Sequence, residues 1–392
     1  MRGAMERLRA REPALLLTVL FAVAVVVSLV ACCRQCTTVT LISSNEKSDL
    51  LREIAGSWNR TAGLDVRCGR VEVVRVESGR AEGALARGWD VPNVKPPDVW
   101  SPAASSWTLL LKQHLADRGS ADIVPPVPPS IFQSPLVIGM PEEMARTIGW
   151  PARQVSWSEV LALAVDPTGW SRYSRPDLGP FKFGKTDPKV STSGLHVLVG
   201  TYFASRNRLP IEADVEDPVV RDYVAAVERS AVYGNTVAEL LRRLRDADDR
   251  GQPLSFVSAI ALEEKQVWDY NRGVVVGDGD ERQGPEPRMK LVAIYPSDGT
   301  LVADHPYVVP NAPWVTDEKR RVADAFLRHL QSEPIQRLFE RQALRDHLGH
   351  AGELIRSSPW LSAAGASRAL RLPTPRTLER IQRSWEDLRK RA

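Results

Sequence analysis

The sequence predicts an α/β fold arranged in two lobes, and three observations support this prediction. Short apolar runs alternate with amphipathic helical segments, which is the pattern of strand–helix units around a parallel sheet. The chain has 392 residues, enough for two lobes that each bury a core. An apolar run at residues 134–140 enters a second region, and another at residues 305–309 leads back towards the first.

The first region is predicted to hold two strand–helix units and a third helix. The helix after the first strand carries Leu50, Leu51, Ile54, Ala55 and Trp58 on one face, at the spacing of an amphipathic helix. The predicted strands cover residues 38–42 and 71–76, and the further helices cover 81–86 and 107–115.

The second region and the return are predicted in the same way. Helices are expected at residues 158–164, 193–204, 218–230, 235–246, 259–267, 317–333 and 334–344, and strands at 134–140, 181–183, 255–257, 291–296 and 305–309. Residues 277–287 are rich in turn formers and are expected to form a loop. The tail at 376–391 is expected to be a solvated amphipathic helix. The predicted boundaries are 1–31 for a leader, 32–134 for the first lobe, 135–307 for the second lobe, 308–345 for the return and 346–392 for the helical tail.

The leader has the features of an export signal. Arg2, Arg7, Arg9 and Arg11 precede an uncharged apolar run that ends in Leu-Val-Ala-Cys at residue 32. That ending resembles a bacterial lipobox, which predicts that Cys32 carries lipid and holds an exported protein at the outer face of the cytoplasmic membrane. The apolar run is also long enough for an uncleaved signal anchor, and both alternatives export the remaining chain.

Charge and cysteine usage exclude several classes of protein. The 52 basic and 48 acidic residues are interspersed, whereas a nucleic-acid binder would show a concentrated basic surface. The four cysteines and six histidines show no zinc-binding spacing, so no metal site is predicted. Cys36 and Cys68 each precede a predicted strand. If those strands are parallel neighbours, a disulfide between the two cysteines is geometrically possible in an oxidising compartment.

Polar loops recur where a predicted strand leads into a helix. They cover residues 43–48, 101–106, 191–194 and 257–259, and the last of them contributes Ser258. In open α/β sheets the binding cleft lies beyond the carboxyl ends of the strands, where helix N-termini present unpaired N–H groups. The repetition predicts a cleft for a small polar or anionic ligand, although each loop taken alone is better explained as a helix cap.

Five phrases together resemble the extracellular solute-binding proteins of bacterial transporters. They are Ser-Ser-Asn-Glu-Lys-Ser-Asp-Leu-Leu at residue 43, Pro-Asp-Val-Trp-Ser-Pro-Ala-Ala-Ser-Ser-Trp at 97, Gly-Lys-Thr-Asp-Pro-Lys-Val-Ser-Thr-Ser-Gly-Leu at 184, Ala-Ile-Tyr-Pro at 293 and His-Pro-Tyr-Val-Val at 305. The chain is most similar to the type II, molybdate-binding-like branch, and within it to an actinobacterial group often joined to von Willebrand factor A domains. The Asp-x-Ser-x-Ser metal motif of that domain does not occur in this sequence.

The resemblance implies the type II periplasmic binding protein fold, with two Rossmann-like lobes joined by two crossing strands and a C-terminal helical extension. It implies that Ser44, Ser106, Ser193 and Tyr295 line the cleft, and that Lys47 and Ser48 open the first helix. The partners implied are a small ligand and an ABC transporter permease, or a separate von Willebrand factor A protein if the chain is instead a cell-surface sensor.

No catalytic residue or cofactor is predicted. Residues 179–186 fit the letters of a phosphate-binding loop, but Phe181 and Phe183 alternate like a strand inside it. The sequence has no Gly-x-Ser-x-Gly elbow, and the adjacent Glu263 and Glu264 would point in different directions on a helix. His196 lies on an apolar helix and is expected to be a packed side chain rather than a catalytic one. An exported hydrolase remains a less favoured alternative to a binding protein.

Overall fold

The computed structural model describes residues 36–61, 69–276, 281–365 and 368–391. The predicted leader, with Cys32 and Cys33, lies outside these residues, as does Cys68. No helix within the described ranges combines the length and apolar character required to cross a bilayer.

The first lobe is built on a small parallel sheet. Strand β1 (Thr37–Ser43) lies between β2 (Gly69–Arg75) and β3 (Val99–Ser101), and both pairs are parallel. The parallel pairing of β1 and β2 was predicted, whereas β3 was not predicted as a strand. The helices that follow these strands are α1 (Asn45–Thr61), α2 (Ser78–Ala86) and α3 (Ser105–Asp117). Helix α1 buries the predicted face, with Leu51, Ile54, Ala55 and Trp58 inside and Leu50 partly buried.

The register of β1 and β2 bears on the predicted disulfide. Thr37 pairs with Gly69 in the parallel ladder, and these two residues directly follow Cys36 and Cys68 in the sequence. The strands are therefore the parallel neighbours that the pairing requires. The bridge itself stays a prediction because Cys68 is not among the described residues.

The second lobe contains a mixed sheet of six strands. Its order is β10 (Leu291–Ile294), β4 (Ser134–Pro141), β7 (Ala259–Glu263), β5 (Phe183–Thr186) and β6 (Ala231–Gly234), with β11 (Val302–Ala303) paired to β4. Strand β4 is antiparallel to both of its main neighbours, whereas β5, β6 and β7 are parallel. Every residue of β4 is buried, as expected for a strand in the middle of a covered sheet.

Helices and a hairpin surround this sheet. The helices are α4 (Glu142–Thr147), α5 (Trp157–Val165), α6 (Thr192–Arg206), α7 (Glu212–Glu216), α8 (Pro218–Arg229), α9 (Val237–Asp249), α10 (Pro253–Phe256) and α11 (Glu264–Asn271). Short 3-10 turns cover Gly169–Tyr173 and Pro176–Leu178. Strands β8 (Val274–Val276) and β9 (Glu281–Gln283) pair antiparallel, so part of the segment expected to be a loop is a strand.

The chain then returns to the first lobe. Val308 forms an antiparallel bridge with Trp100 of β3, and Pro306 forms one with Ser130. The predicted strand at residues 305–309 is thus replaced by single bridges. Helices α12 (Asp317–Leu330) and α13 (Glu333–Glu340) follow, and Val322, Phe326 and Phe339 pack in the core of the first lobe.

The C-terminal segment differs from the solvated tail that was expected. A short helix α14 (Glu353–Ser357) precedes α15 (Pro375–Arg391), and α15 buries Leu378, Ile381 and Trp385. These three side chains share one apolar core with α3 of the first lobe and α6 of the second. The apolar face of α15 is too large to remain in water, and it covers the junction of the two lobes.

One stretch of the second lobe was predicted with the wrong element order. Residues 255–257 were expected to be a strand and 259–267 a helix, whereas β7 starts at Ala259 and α11 starts at Glu264. The apolar run of residues 259–262 fits either element, and its burial inside a sheet decides for the strand. The strand therefore ends at Glu263 rather than at Val257, just before Ser258.

Candidate functional site

A polar cleft lies between the lobes, where strands of both sheets end and helices begin. Its volume is about 810 Å³, including its open mouth. Its walls are formed by Ser44, Asn45, Glu46, Glu77, Ser78, Val190, Ser191, Thr192, Ser193, Asn235, Thr236, Val237, Ala238, Glu263, Lys265, Gln266 and Asp269.

Five helix starts contribute to these walls. Helix α1 begins at Asn45, α2 at Ser78, α6 at Thr192, α9 at Val237 and α11 at Glu264, and residues at or beside each start line the cleft. The first N–H groups of a helix have no partner within the helix, so this arrangement gathers hydrogen-bond donors around one space. Two of the four predicted loops, at residues 43–48 and 191–194, meet here as expected.

Ser44 and Ser193 are the two predicted site residues that line the cleft. The Ser44 hydroxyl accepts a hydrogen bond from Lys47 Nζ at 2.6 Å and donates one to Glu46. Ser193 is 5% exposed, and its side chain makes no hydrogen bond to any residue in the described ranges. A ligand-binding role for both serines stays a prediction.

Lys47 and Ser48 lie behind the wall and hold α1 in place. Lys47 is buried, and its ammonium group donates to the carbonyl of Pro102 at 3.0 Å. Ser48 donates to the carbonyl of Asn45 at 3.3 Å and accepts from Arg75 Nε at 2.8 Å. Both residues lie in the first turn of α1, as expected, but neither side chain lines the cleft.

The loop at residues 101–106 does not reach the cleft, contrary to the prediction. The carboxylate of Asp304 accepts hydrogen bonds from the Ser105 backbone N–H, at 2.7 Å, and from the Ser105 hydroxyl, at 2.5 Å. The start of α3 is therefore closed by an internal carboxylate rather than left open for a ligand. The Ser106 hydroxyl lies 3.2 Å from His196 Nε2 in the lobe junction, and both residues are buried.

Ser258 and Tyr295 also face away from the cleft. The Ser258 hydroxyl accepts from Trp170 Nε1 at 3.0 Å and from the Lys182 N–H at 3.1 Å, inside the second lobe. Tyr295 donates to Glu264 at 2.7 Å, and Glu264 also forms a buried ion pair with Arg345. Both predicted residues are thus internal structural partners, Ser258 because the strand end lies five residues further along the chain.

A buried ionisable cluster supports the floor of the cleft. Lys47 Nζ lies 3.1 Å from His305 Nδ1 and 3.4 Å from Glu46 Oε1, and His305 Nε2 lies 3.4 Å from Glu263 Oε2. Burial lowers the pKa of Lys47 and holds the pKa of His305 well below its usual range. Burial also raises the pKa of Glu263 to about 7, against the attraction of Lys47.

This cluster has metal-ligand spacing but not metal-site chemistry. Ligand atoms of Glu46, Glu263 and His305 lie within 4.8 Å of one another. However, the Lys47 ammonium donates to His305 Nδ1, which leaves the ring proton on Nε2, the atom that faces Glu263. A metal ion needs a lone pair on that nitrogen, and the lysine already supplies the positive charge that the carboxylates require.

Sequence reasoning missed the carboxylates of the wall. Glu77 lies two residues after the end of β2, Glu263 ends β7, and Asp269 lies on α11. Glu77 could have been predicted, because polar residues that follow parallel strands meet at one edge of the sheet. Glu263 was missed because residues 259–267 were predicted as a helix, so that no strand end was expected there. Asp269 lines the cleft because α11 starts at Glu264.

On the other side of the cleft the lobes pack directly against each other. Trp107 of α3 is buried and its indole N–H donates to Thr192 Oγ1 of α6 at 2.8 Å. Gly79 of α2 donates its N–H to the carbonyl of Val190 at 3.2 Å, and a Cβ at Gly79 would lie 1.9 Å from the carbonyl oxygen of Lys189. Only glycine permits this approach of the two backbones.

Comparisons with known proteins agree with this architecture. The family described as bacterial extracellular solute-binding proteins matches residues 39–345. An uncharacterized protein of Mycobacterium tuberculosis is 24% identical over 297 residues, which is 75% of this chain. The chain spans about 40% of the length of that relative.

Solved periplasmic binding proteins share the fold at low identity. One is the protein AfuA from Actinobacillus pleuropneumoniae with fructose-6-phosphate bound, at a TM-score of 0.57 and 12% identity over 91% of this chain and 99% of that one. Another is a chitin oligosaccharide binding protein, with a TM-score of 0.54 and 12% identity over 90% of this chain and 94% of that one. A third is a periplasmic thiamin binding protein, with a TM-score of 0.52 and 10% identity over 91% of this chain and 97% of that one.

These likenesses confirm the predicted type II periplasmic binding protein fold, and the match over residues 39–345 confirms the predicted family. The chain belongs to the bacterial extracellular solute-binding proteins.

Proposed function

We propose that this chain captures a small polar molecule in the cleft between its lobes and presents it to the permease of an ABC transporter. The observation that carries the proposal is the convergence of five helix starts and several hydroxyl and carboxylate groups on one cleft. Pockets that place a few polar groups around a small volume are the usual form of a small-molecule site. The proposal includes no catalytic step.

The exported location expected of this family fits the sequence of the leader. We propose that Cys32 is lipidated and tethers the protein outside the cytoplasmic membrane, and that Cys36 and Cys68 form a disulfide there. Replacement of Cys32 by alanine is expected to release the protein from the membrane fraction or leave an unprocessed precursor. Unchanged processing would contradict lipidation and favour a signal anchor.

A thermal-shift screen tests binding in the cleft. Ligand that binds only the native state raises the melting temperature, so a panel of sugars, amino acids, amines and oxyanions should contain at least one compound that does so. Ser191→Trp places a large side chain in the cleft, so the ligand should no longer raise the melting temperature of this variant. Ser120→Trp, at an exposed position of the first lobe, is the matched control and should keep it.

A second function, a sensor or interaction module on the cell surface, is supported by one observation. The curated relatives are longer than the matched segment, so in them the shared region is joined to further chain. Such a module would work with a separate partner, for example a von Willebrand factor A protein. Crosslinking in the native membrane distinguishes the two functions, since the transport proposal predicts capture of a permease and the sensor proposal predicts its absence.

A further inference from the structure

The cleft wall carries more negative than positive charge. Its carboxylates belong to Glu46, Glu77, Glu263 and Asp269, and Lys265 is the one cationic side chain among the described residues that line it. Lys265 forms an ion pair with Asp269. Lys47 lies directly behind the wall, 3.4 Å from Glu46. The two lysines are therefore in contact with two of the four carboxylates.

Glu77 and Glu263 are the carboxylates left without a cationic partner in contact. Within the described ranges, the Glu77 carboxylate is contacted by the side-chain amide of Asn45, at 3.5 Å. Glu263 faces the ring of His305, whose pKa is held well below its usual range by burial and by Lys47, so that the ring is neutral. Both carboxylates belong to the wall, one from each lobe.

Two further polar groups of the wall lack hydrogen-bond partners. The Oδ1 atom of Asn45 is buried and accepts no hydrogen bond from the described residues. The hydroxyl of Ser193, a residue of the second-lobe wall that is 5% exposed, makes no hydrogen bond in that part of the chain. Buried polar groups without partners are costly, and a ligand that supplies the partners removes the cost.

From this arrangement we infer that the ligand carries a protonated amine, which the carboxylates of Glu77 and Glu263 receive together with the free oxygen of Asn45. The inference rests on the proposed function and specifies its ligand class. An ammonium group has three donors and no acceptor, which matches a wall of acceptors. An oxyanion would instead have to enter beside the Glu77 carboxylate, which no contacting cation offsets, and like charges in a partly buried site repel strongly.

Matched ligand pairs test the inference directly. Putrescine and 1,4-butanediol have the same chain length, and glucosamine and glucose have the same ring, so each pair differs in the amine. Calorimetric titration should give at least tenfold tighter binding for the amine of at least one pair. Molybdate and phosphate, titrated under the same conditions, should show no binding in the cleft.

Variants with the same change of charge locate the effect. Glu77→Gln keeps the shape of the side chain and should weaken amine binding about three- to tenfold, while affinity for the neutral analogue stays the same. Glu72→Gln is the control, because Glu72 is exposed on β2, the strand that precedes Glu77, and does not line the cleft. It should leave both affinities unchanged.

The outcomes separate this inference from the proposed function. Equal affinity for amine and alcohol, or binding of an oxyanion that Ser191→Trp abolishes, would overturn the amine inference and leave the binding function standing. Loss of amine affinity in Glu72→Gln as large as in Glu77→Gln would also overturn it, because the effect would then be one of overall charge. Absence of binding by any compound class would overturn the proposed function itself.

Discussion

The two sides of the junction between the lobes are built in opposite ways. On one side α3, α6 and α15 share an apolar core in which Trp107, Leu198 and Leu378 are buried. On the other side the same lobes face each other across carboxylates, hydroxyls and helix starts. The first side is closed by packing and internal hydrogen bonds, and the second is left with unpaired acceptors.

This difference assigns separate tasks to the two sides. Close packing of apolar side chains contributes stability and fixes the relative position of the lobes. Polar groups without partners contribute no stability and gain energy when a ligand supplies the missing bonds. Substitutions on the packed side should therefore change the free energy of unfolding, and substitutions in the cleft should change affinity.

The largest expected loss is for Trp107→Ala on the packed side. It removes a buried indole and leaves a cavity between the lobes, which costs about 3–5 kcal/mol of unfolding free energy. Chemical denaturation measures the loss. Trp107→Phe keeps most of the ring and removes the hydrogen bond to Thr192, so it should cost much less. Equal losses in the two variants would show that the hydrogen bond, rather than the packing, holds the lobes together.

Ser258→Ala should be the next in size. It removes the acceptor of both the Trp170 indole and the Lys182 N–H, and two buried donors without an acceptor cost about 1–3 kcal/mol. Ligand affinity should not change, because the side chain lies inside the second lobe. Ser255→Ala, at an exposed position three residues earlier, serves as control and should stay within about 0.5 kcal/mol of the parent. A loss of ligand affinity in Ser258→Ala would contradict this prediction and show that Ser258 takes part in ligand binding.

Glu263→Gln should change how stability depends on pH. The pKa of Glu263 is raised from 4.5 to about 7, so between these values the folded chain holds a proton that the unfolded chain releases. This contribution is present below pH 4.5 and is lost as the pH rises through about 7. The variant lacks this titrating carboxyl group, so its unfolding free energy should fall less than that of the parent over pH 5–8, by about 3 kcal/mol. Parallel curves for the two proteins would contradict the raised pKa.

Ser193→Ala should have the smallest effect on stability and a clear effect on binding. The hydroxyl makes no hydrogen bond within the described residues, so the melting temperature of the empty protein should barely change. Affinity for the best ligand of the screen should fall by about 0.5–1.5 kcal/mol. A lower melting temperature with unchanged affinity would identify Ser193 as a helix cap.

The fold was largely predictable because local patterns agreed with the tertiary arrangement. The face of α1 with Leu51, Ile54 and Trp58 and the alternation of strands and helices needed no long-range information. The order of β7 and α11 was not predictable, since a short apolar run fits a buried strand and a buried helix equally well. The docking of α15 depends on a surface that both lobes create together.

The site was less predictable than the fold because it depends on which polar groups are already partnered. Ser44, Ser106, Ser193 and Ser258 look alike in the sequence, each beside a strand end or helix start. In the structure His196 contacts Ser106, while Trp170 and Lys182 hold Ser258, and these partners are distant in sequence. Only the three-dimensional structure distinguishes a serine that holds the protein together from one that faces a ligand.

Hydrogen–deuterium exchange with and without the best ligand of the screen tests the central claim, that the ligand lies on the polar side of the lobe junction. We expect slower exchange at the starts of α1 and α6, around Asn45 and Ser193, since their N–H groups and side chains line the cleft. Exchange in α3 around Trp107 should stay the same, because that side is already closed. Protection confined to regions outside the cleft would contradict the account.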